Sequence, residues 1–339
     1  MQILFVELLG GLGDVLIAMS AMQALARTQQ SAITVLTFAP GGVLLEHDPL
    51  IDRILYAEKG KAREAVENLL RCESFDLIVS DTSYDSIDKI IADSDTKRVV
   101  TNLWRSPPPH QFVSDRFVEI LIAEGLIAPD AVQPAQLYLT EQERQTAQNQ
   151  LGNLHRPIVL LCPDAGMQIK RWSEANFIEV GQRLQQQYDA SIVVPVGSDM
   201  NQAKHIVNHI GGNVKLWQSG TLRELAAMFS HADLMIAADT GPARIAAAVG
   251  VPTITLFGPS WAERYGQPKP HINLQGYPAC PERKIENFTV QSCWYSGDCP
   301  IPLELRKAQS TDWATCVDAI SVDRVMTAIA QLLEAQVIL

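Results

Sequence analysis

Asp14 is the first residue whose type and position suit chemistry. It ends the run Gly10–Asp14, which contains three glycines and lies between an apolar strand pattern and a helix pattern that starts near Val15. Glycines in such a turn let the backbone approach a ligand closely, and the N-terminus of a helix favours negative charge. A carboxylate there suits either an N-cap or a general base, and position alone favours the cap.

A dinucleotide-binding fingerprint is the main rival interpretation of this turn. Counted from Gly11, the third glycine position is occupied by Leu16, and the second predicted strand ends at Thr37–Pro40 without the acid expected to bind a ribose hydroxyl. The phosphate-binding sequence G-x-x-x-x-G-K does not occur in the chain. The sequence therefore disfavours both NAD binding and ATP hydrolysis of the P-loop type.

A second group of charged residues follows an apolar strand pattern near the middle of the chain. Pro163–Gly166 leads to Lys170 and Arg171, two adjacent cations just beyond the predicted strand end. There they could neutralise a diphosphate, although a solvated basic turn accounts for them equally well. We interpret the next residue, Trp172, as a packing residue rather than one that stacks on a base.

A third group joins another predicted strand to a helix. In Asp239–Arg244 the proline lies near the first helical position, so the backbone N–H groups and the Thr240 hydroxyl form an anion site, and Arg244 adds charge one turn later. Such a segment by itself is usually an ordinary turn. Gly197 and Ser219 lie in further loops on the same side, and this convergence of strand ends indicates a nucleotide site.

These turns must be positioned by the strands and helices around them. Apolar strand patterns alternate with helix patterns throughout, which is typical of βαβ units around a parallel sheet. The polar stretch 129–154, with helix-forming residues from Thr140, separates two such series, and the length fits two domains. We predict α/β domains with doubly wound parallel sheets at 1–150 and 151–320, and a docked amphipathic helix at 321–339.

Composition limits the partners of the protein. Of its 339 residues, 47% are hydrophobic, and the net charge of -11 argues against broad binding to nucleic acid or anionic lipid. The chain starts without a basic region and no apolar run reaches about 18 residues, so we expect a cytoplasmic protein. The six cysteines fit no paired zinc pattern, and we expect free thiols. Four late cysteines stay without a role: Cys280, Cys293, Cys299 and Cys316.

Four short motifs, in their order along the chain, resemble those of glycosyltransferase family 9, the ADP-heptose:lipopolysaccharide heptosyltransferases. The motifs are Gly13–Leu16, Lys170–Trp172, Asp239–Pro242 and Leu256–Pro259. The resemblance spans nearly the whole chain and implies a GT-B fold, with two Rossmann-like domains facing a cleft. It further implies inverting, metal-independent transfer of heptose or a related sugar from an ADP-linked donor to a lipopolysaccharide-core or other glycan acceptor. No cofactor is implied beyond this nucleotide sugar.

The same resemblance assigns roles to the residues. It makes Asp14 the general base, so that the expected role of this carboxylate moves from cap to base, and it places Lys170 on the donor phosphate. No metal ligand is implied. The resemblance also makes Asp239–Pro242 hold the donor. With the residues that the convergence of strand ends and charges adds, the expected donor-binding residues are Gly13, Pro163, Lys170, Arg171, Gly197, Ser219, Asp239, Thr240, Gly241, Pro242 and Arg244.

Two departures from the family pattern leave the donor sugar open. Ala243 and Arg244 stand where the family usually has Met-His after the proline, and Asp164 is an acid where small or hydroxyl residues are usual. Because arginine cannot shuttle a proton near neutral pH, the contacts to phosphate or sugar can differ here. A donor other than ADP-heptose is therefore credible.

Two other functions stay open at this point, a GT-B nucleotide-sugar epimerase and a non-catalytic nucleotide-sugar-binding relative. The few histidines, none of them in the main motifs, disfavour the first, and the retained Asp14 and Lys170 disfavour the second. The basic residues of the loops Lys59–Arg63 and Lys97–His110 would meet a phosphorylated glycolipid acceptor, or equally be solvated surface. A lipid-linked acceptor would bring the protein into peripheral contact with the inner membrane surface.

Overall fold

Two parallel β-sheets, one in each of two units, organise the chain. The first unit comprises Met1–Pro107 and Val113–Thr140, and the second comprises Pro108–Phe112 and Glu141–Leu339. The computed structural model describes residues 1–105, 108–218, 220–285, 287, 290–302, 304 and 315–337, with the side chains of the last helix described to residue 334.

The sheet of the first unit is entirely parallel. Its strands are β1 (Ile3–Val6), β2 (Ile33–Phe38), β3 (Ile51–Ala57), β4 (Leu77–Ser80) and β5 (Arg98–Val100). The α-helices described in this unit are α1 (Leu12–Gln29), α2 (Ala62–Cys72), α3 (Ile87–Ala92) and α4 (Val113–Ala123). The strands lie in the order β3-β2-β1-β4-β5. The direction of winding therefore reverses between β1 and β4, which is where open α/β sheets bind ligands.

The second unit repeats this plan with a six-stranded parallel sheet. Its strands are β6 (Ile158–Cys162), β7 (Ser191–Pro195), β8 (Val214–Trp217), β9 (Leu234–Ala238), β10 (Thr253–Phe257) and β11 (Ile272–Gln275). The described helices are α5 (Glu141–Leu151), α6 (Glu174–Tyr188), α7 (Met200–Ile210), α8 (Leu222–Phe229), α9 (Gly241–Ala248), α10 (Ala262–Tyr265), α11 (Ser292–Ser296) and α12 (Val322–Val337). The order β11-β10-β9-β6-β7-β8 reverses between β6 and β9. The prediction of two doubly wound α/β sheets is confirmed.

Helix α5 belongs to the second unit, so the division of the chain falls at Thr140 rather than at the predicted residue 150. The helix is polar, but Ala147 and Leu151 are buried. Glu143 receives two hydrogen bonds from the Arg223 guanidinium, at 2.5 and 2.8 Å. This bidentate ion pair ties α5 to α8, which composition along the chain could not reveal.

Helix α12 packs its apolar face into the core of the second unit. Val325 and Ile329 are fully buried there, among residues of β9 and β10 such as Ile236 and Leu256. Six apolar residues at helical spacing form this face, and all are buried: Val322, Val325, Met326, Ile329, Leu332 and Leu333. No helix in the described ranges is both long and apolar enough to cross a membrane.

The stability of the second unit is expected to fall as the pH drops from about 6.5 to about 4. The His271 ring is mostly buried and its Nδ1 accepts a hydrogen bond from the Thr253 backbone N–H at 3.2 Å, and burial lowers the pKa of His271 to about 4. In the unfolded chain His271 binds a proton near pH 6.5, whereas in the folded chain it does so only near pH 4. Acid therefore favours unfolding, and the free energy of unfolding falls by about 3 kcal/mol over this window.

The measurement is urea unfolding at pH 7 and pH 4 for the wild type and the variant His271→Gln. This variant should lose less stability on acidification than the wild type. His205→Gln, at a half-exposed histidine of α7, is the matched control and should behave like the wild type. Equal acid sensitivity in all three proteins would contradict the assignment.

Candidate functional site

A lysine and an aspartate meet at the reversal of strand order in the second unit. Lys170 follows β6 and Asp239 follows β9, and these two strands are hydrogen-bonded neighbours. The Lys170 ammonium lies 3.0 Å from Asp239 Oδ2 and donates to the Asp239 carbonyl oxygen at 3.2 Å. Both side chains are largely buried, at 14% and 13% exposure. The fold thus holds the Lys170 ammonium, paired and largely buried, at the carboxyl edge of the sheet.

The carboxylate of Asp239 is kept ionised by its surroundings. Burial alone would raise the pKa of Asp239, but the positive charges of Lys170 and Arg244 and a hydrogen bond from Ser260 outweigh it and lower the pKa. The Ser260 hydroxyl, just beyond β10, donates to Asp239 Oδ2 at 2.6 Å. Three neighbouring strand ends therefore contribute to one charged network.

Trp294 of α11 is a member of this site that the sequence analysis missed. The Lys170 ammonium lies 4.9 Å from the centroid of its ring, within the range of a cation–π contact. No spacing signal links the two residues, because α11 lies far along the chain from β6. The tryptophan inside the motif, Trp172, is buried, and its indole N–H donates to the Ile320 carbonyl at 2.9 Å. Its interpretation as a packing residue is confirmed.

Arg171 and Asp164 form a second ion pair beside the first. Arg171 Nη2 lies 2.6 Å from Asp164 Oδ1 and donates to the Ser198 hydroxyl at 3.3 Å. Asp164 also accepts from the backbone N–H groups of Ala165 and Ser198. The acid that departs from the family pattern therefore balances the charge of Arg171 and ties the turn after β6 to the turn after β7.

Gly197 leaves the space that Asp164 occupies. A Cβ atom at this position would overlap the Asp164 carboxyl group. We expect Gly197→Ala to displace this carboxylate, to lower the free energy of unfolding by about 2 kcal/mol and to weaken donor binding. Gly166→Ala is the matched control, since a Cβ there meets nothing within 4 Å. Urea unfolding and calorimetric nucleotide titration measure both effects, and equal behaviour of the two variants would refute them.

The remaining predicted donor-binding residues lie around these ion pairs. Helix α9 begins at Gly241 with Pro242 in its first turn, and Thr240 is its N-cap residue, whose hydroxyl donates to the Ala238 carbonyl at 3.3 Å. Arg244 donates to the Tyr265 carbonyl. Pro163 is buried directly after β6. Ser219 lies outside the described residues. The donor-binding roles themselves stay predictions.

Asp14 lies in the first turn of α1, which begins at Leu12 rather than near Val15 and has Gly11 as its N-cap residue. Its Oδ2 accepts a hydrogen bond from the Gly11 backbone N–H at 3.0 Å, which satisfies one N–H group at the start of the helix. Gly13, the residue before it, is half-buried. The N-cap residue is therefore Gly11, and Asp14 supports the cap by bonding back to its N–H from inside the helix. The base role of Asp14 stays a prediction that is compatible with this contact.

Several basic residues of the two predicted acceptor loops are engaged with acids. Exposed pairs of this kind contribute little to stability. Residues 106 and 107 of the second loop lie outside the described residues. The pairs are Lys61 with Glu58, Arg63 with Glu67, Arg105 with Glu124 and His110 with Glu263.

The fold brings the four late cysteines to one place. Together with Arg283 they line a cavity of about 20 Å³, and all six cysteines are free thiols. Within the described part of the chain, no group of three or more His, Cys, Asp or Glu side chains is placed to hold a metal ion. The four cysteines are Cys280, Cys293, Cys299 and Cys316.

Known proteins share both sequence and fold with this chain. The family model of glycosyltransferase family 9 (heptosyltransferase) matches residues 105–289, which is more than half of the chain. Lipopolysaccharide heptosyltransferase 3 of Escherichia coli is 25% identical over 275 residues, which cover 73% of this chain and 80% of that protein.

Two solved structures resemble the chain along nearly its full length. The glycosyl transferase family 9 structure from Veillonella parvula DSM 2008 has a TM-score of 0.75 at 18% identity, covering 98% of this chain and 97% of the other. The ADP-heptose lps heptosyltransferase II of E. coli has a TM-score of 0.70 at 17% identity, covering 99% of this chain and 100% of the other. The predicted fold class is thereby confirmed.

Proposed function

Because the chain belongs to glycosyltransferase family 9, we propose that it transfers heptose or a related sugar from an ADP-linked or other nucleotide-diphosphate donor. The acceptor is a lipopolysaccharide core or another glycan, as the names of the E. coli relatives suggest. The reaction is inverting, takes place in the cytoplasm and uses no cofactor besides the nucleotide sugar. A lipid-linked acceptor brings the protein to the inner membrane surface without a spanning helix.

The Lys170–Asp239 pair is the observation that carries this proposal. A departing nucleoside diphosphate gains negative charge in the transition state, and a cation fixed in advance stabilises that charge without reorganisation. Asp239 and Trp294 both contact the Lys170 ammonium. The N-terminus of α9, one residue beyond Thr240, adds backbone N–H groups and the positive end of the helix dipole.

These groups supply the positive charge that a metal ion gives to other transferases, so we propose that transfer proceeds without one. The buried Asp239 carboxylate keeps the Lys170 ammonium in place before the donor binds. Arg244 adds a second positive charge near Asp239. The net charge around the pair therefore favours a bound diphosphate.

Asp14 is the proposed general base. A carboxylate with an ordinary pKa of about 4 is a weak base toward an alcohol, but it need only accept the proton late, as the acceptor oxygen bonds to an oxocarbenium-like carbon. Correct placement then matters more than basicity. The Gly11 N–H bond fixes the Asp14 side chain at the start of α1, which supplies this placement.

Thermal unfolding in the presence of different nucleotides tests the proposal. We expect ADP to raise the unfolding midpoint more than UDP or GDP, and we expect transfer to a glycan acceptor when the matching ADP-sugar is supplied. A clear preference for UDP together with interconversion of a UDP-sugar would favour an epimerase. Tight nucleotide binding without turnover of any donor would favour a non-catalytic relative.

A further inference from the structure

Two acids, Glu7 and Asp81, are buried at the reversal of strand order in the first unit. Glu7 follows β1 and Asp81 follows β4, each one residue beyond the paired Val6 and Ser80. Their exposures are 0% and 1%. Neighbouring strands lie about 4.8 Å apart, and residues in register project to the same face. The fold therefore places two carboxyl groups side by side without solvent.

The hydrogen bonds of the two groups leave one oxygen without a partner. The Thr37 hydroxyl donates to Glu7 Oε2 at 2.5 Å, and the Thr82 hydroxyl donates to Asp81 Oδ1 at 2.8 Å. Asp81 Oδ2 is buried and has no hydrogen-bond partner among the described residues. No lysine or arginine of the described chain contributes to the electrostatics of either group. A buried anionic oxygen in this state is costly.

Two adjacent buried carboxyl groups without a cation do not both ionise. Burial raises the pKa of Glu7 to about 7. The hydrogen bond from Thr37 opposes this rise, and the negative charge of Asp14 adds to it. Burial, followed by the charge of Glu7, raises the pKa of Asp81 well above its ordinary value. The pair therefore retains one proton when it carries its first negative charge.

The same network holds the backbone that leads to Asp14. The Leu8 N–H donates to the Thr82 hydroxyl at 3.2 Å, and the Leu9 N–H donates to Glu7 Oε1 at 3.3 Å. The Tyr84 hydroxyl donates to the Leu8 carbonyl at 2.6 Å. Both residues of the loop before the glycine turn are thus bonded to side chains at the ends of β1 and β4.

The titratable groups that face the pair come from two segments. Asp14 acts on it from the start of α1, and Tyr84 and Asp85 lie in the segment after β4. Burial raises the pKa of the Tyr84 hydroxyl, and the charges of Asp81, Glu7 and Asp85 add to this. Tyr84 is therefore neutral in the physiological range, whereas Glu7, with a pKa raised to about 7, titrates there.

We propose that Glu7 and Asp81 form an acid pair that retains one proton at neutral pH, and that this pair positions and tunes Asp14 as the proton acceptor. The second part rests on the proposed base role of Asp14. When Glu7 ionises, its proton passes to solvent and a negative charge appears behind Asp14. That charge favours arrival of the acceptor's proton on the Asp14 carboxylate.

Two readouts test the acid pair without any assay of transfer. The wild type should show the infrared band of a protonated carboxylic acid at pH 8, and Asp81→Asn should abolish it. Glu7→Gln should unfold about 5 °C above the wild type at pH 8, because no buried charge forms, and close to the wild type at pH 4, where the Glu7 carboxyl is largely protonated in the folded and the unfolded chain alike. Absence of the band, or an equal midpoint difference at both pH values, overturns the pair.

The pH profile of transfer tests the influence on Asp14. The wild-type kcat should rise about five-fold between pH 6 and pH 8 as Glu7 ionises. Glu7→Gln should lose this rise with the donor KM unchanged, whereas Asp81→Asn should retain it. If the two physical readouts hold and Glu7→Gln keeps the rise, the pair exists but does not tune Asp14. If no donor is turned over at all, the proposed function fails while the acid pair stands.

Discussion

Asp14→Asn is expected to lower kcat by about 10²- to 10⁴-fold while leaving the dissociation constant of the donor nearly unchanged. The asparagine side-chain oxygen can accept the bond that Asp14 Oδ2 now takes from the Gly11 N–H at 3.0 Å. The cap of α1 therefore survives the change, and the free energy of unfolding should stay within about 0.5 kcal/mol of the wild-type value. Only the negative charge and its capacity to take a proton are lost.

The measurements are steady-state kinetics with a turned-over donor, calorimetric titration with ADP and urea unfolding. Asp14→Glu is the control for position, because it keeps the carboxylate but shifts it by one methylene. We expect intermediate activity from this variant, since placement is the main requirement for a weak base. Near wild-type transfer by Asp14→Asn would leave Asp14 as a helix cap and nothing more.

Lys170→Met is expected to reduce kcat/KM by at least about 10²-fold and to weaken ADP binding more than AMP binding. The thioether side chain fills much of the same space but brings no charge to a diphosphate. The variant should also lose about 3 kcal/mol of stability, because the buried Asp239 carboxylate loses the partner that lies 3.0 Å away. Two different losses are therefore combined in one substitution.

The double variant Lys170→Met/Asp239→Asn separates these losses. With both charges removed, no unpaired buried ion remains, so most of the stability should return. Transfer should stay low, because the cation proposed to stabilise the leaving group is still missing. Recovery of transfer in the double variant would show that the single variant fails through its stranded carboxylate, and it would remove Lys170 from the proposed mechanism.

Local patterns along the chain were sufficient for the architecture. The apolar runs that became β1, β6 and β9 and the helical spacing of Val325 and Ile329 in α12 depend only on short-range periodicity, so they could be recognised without any contact. The turns after these strands could be located for the same reason. The strands β3, β5, β8 and β11 were not predicted, because they are partly exposed and carry no clear alternation.

Pairing across strands was beyond the reach of the sequence. Lys170 was predicted as a cation near a donor diphosphate, and only the adjacency of β6 and β9 brings it to Asp239. The same holds for Glu7 and Asp81, which nothing in the sequence pattern marked as neighbours, and for Trp294, which reaches Lys170 from a distant helix.

The sequence by itself determined that two α/β sheets would form and that Asp14, Lys170 and Asp239 would each follow a buried strand. These features arise from hydrophobic periodicity and turn chemistry, which act over a few residues. The tertiary structure decided which charges are paired, which carboxyl groups lose solvent and where the first unit ends. Those properties depend on strand order and burial, and both are set by contacts between residues that are far apart along the chain.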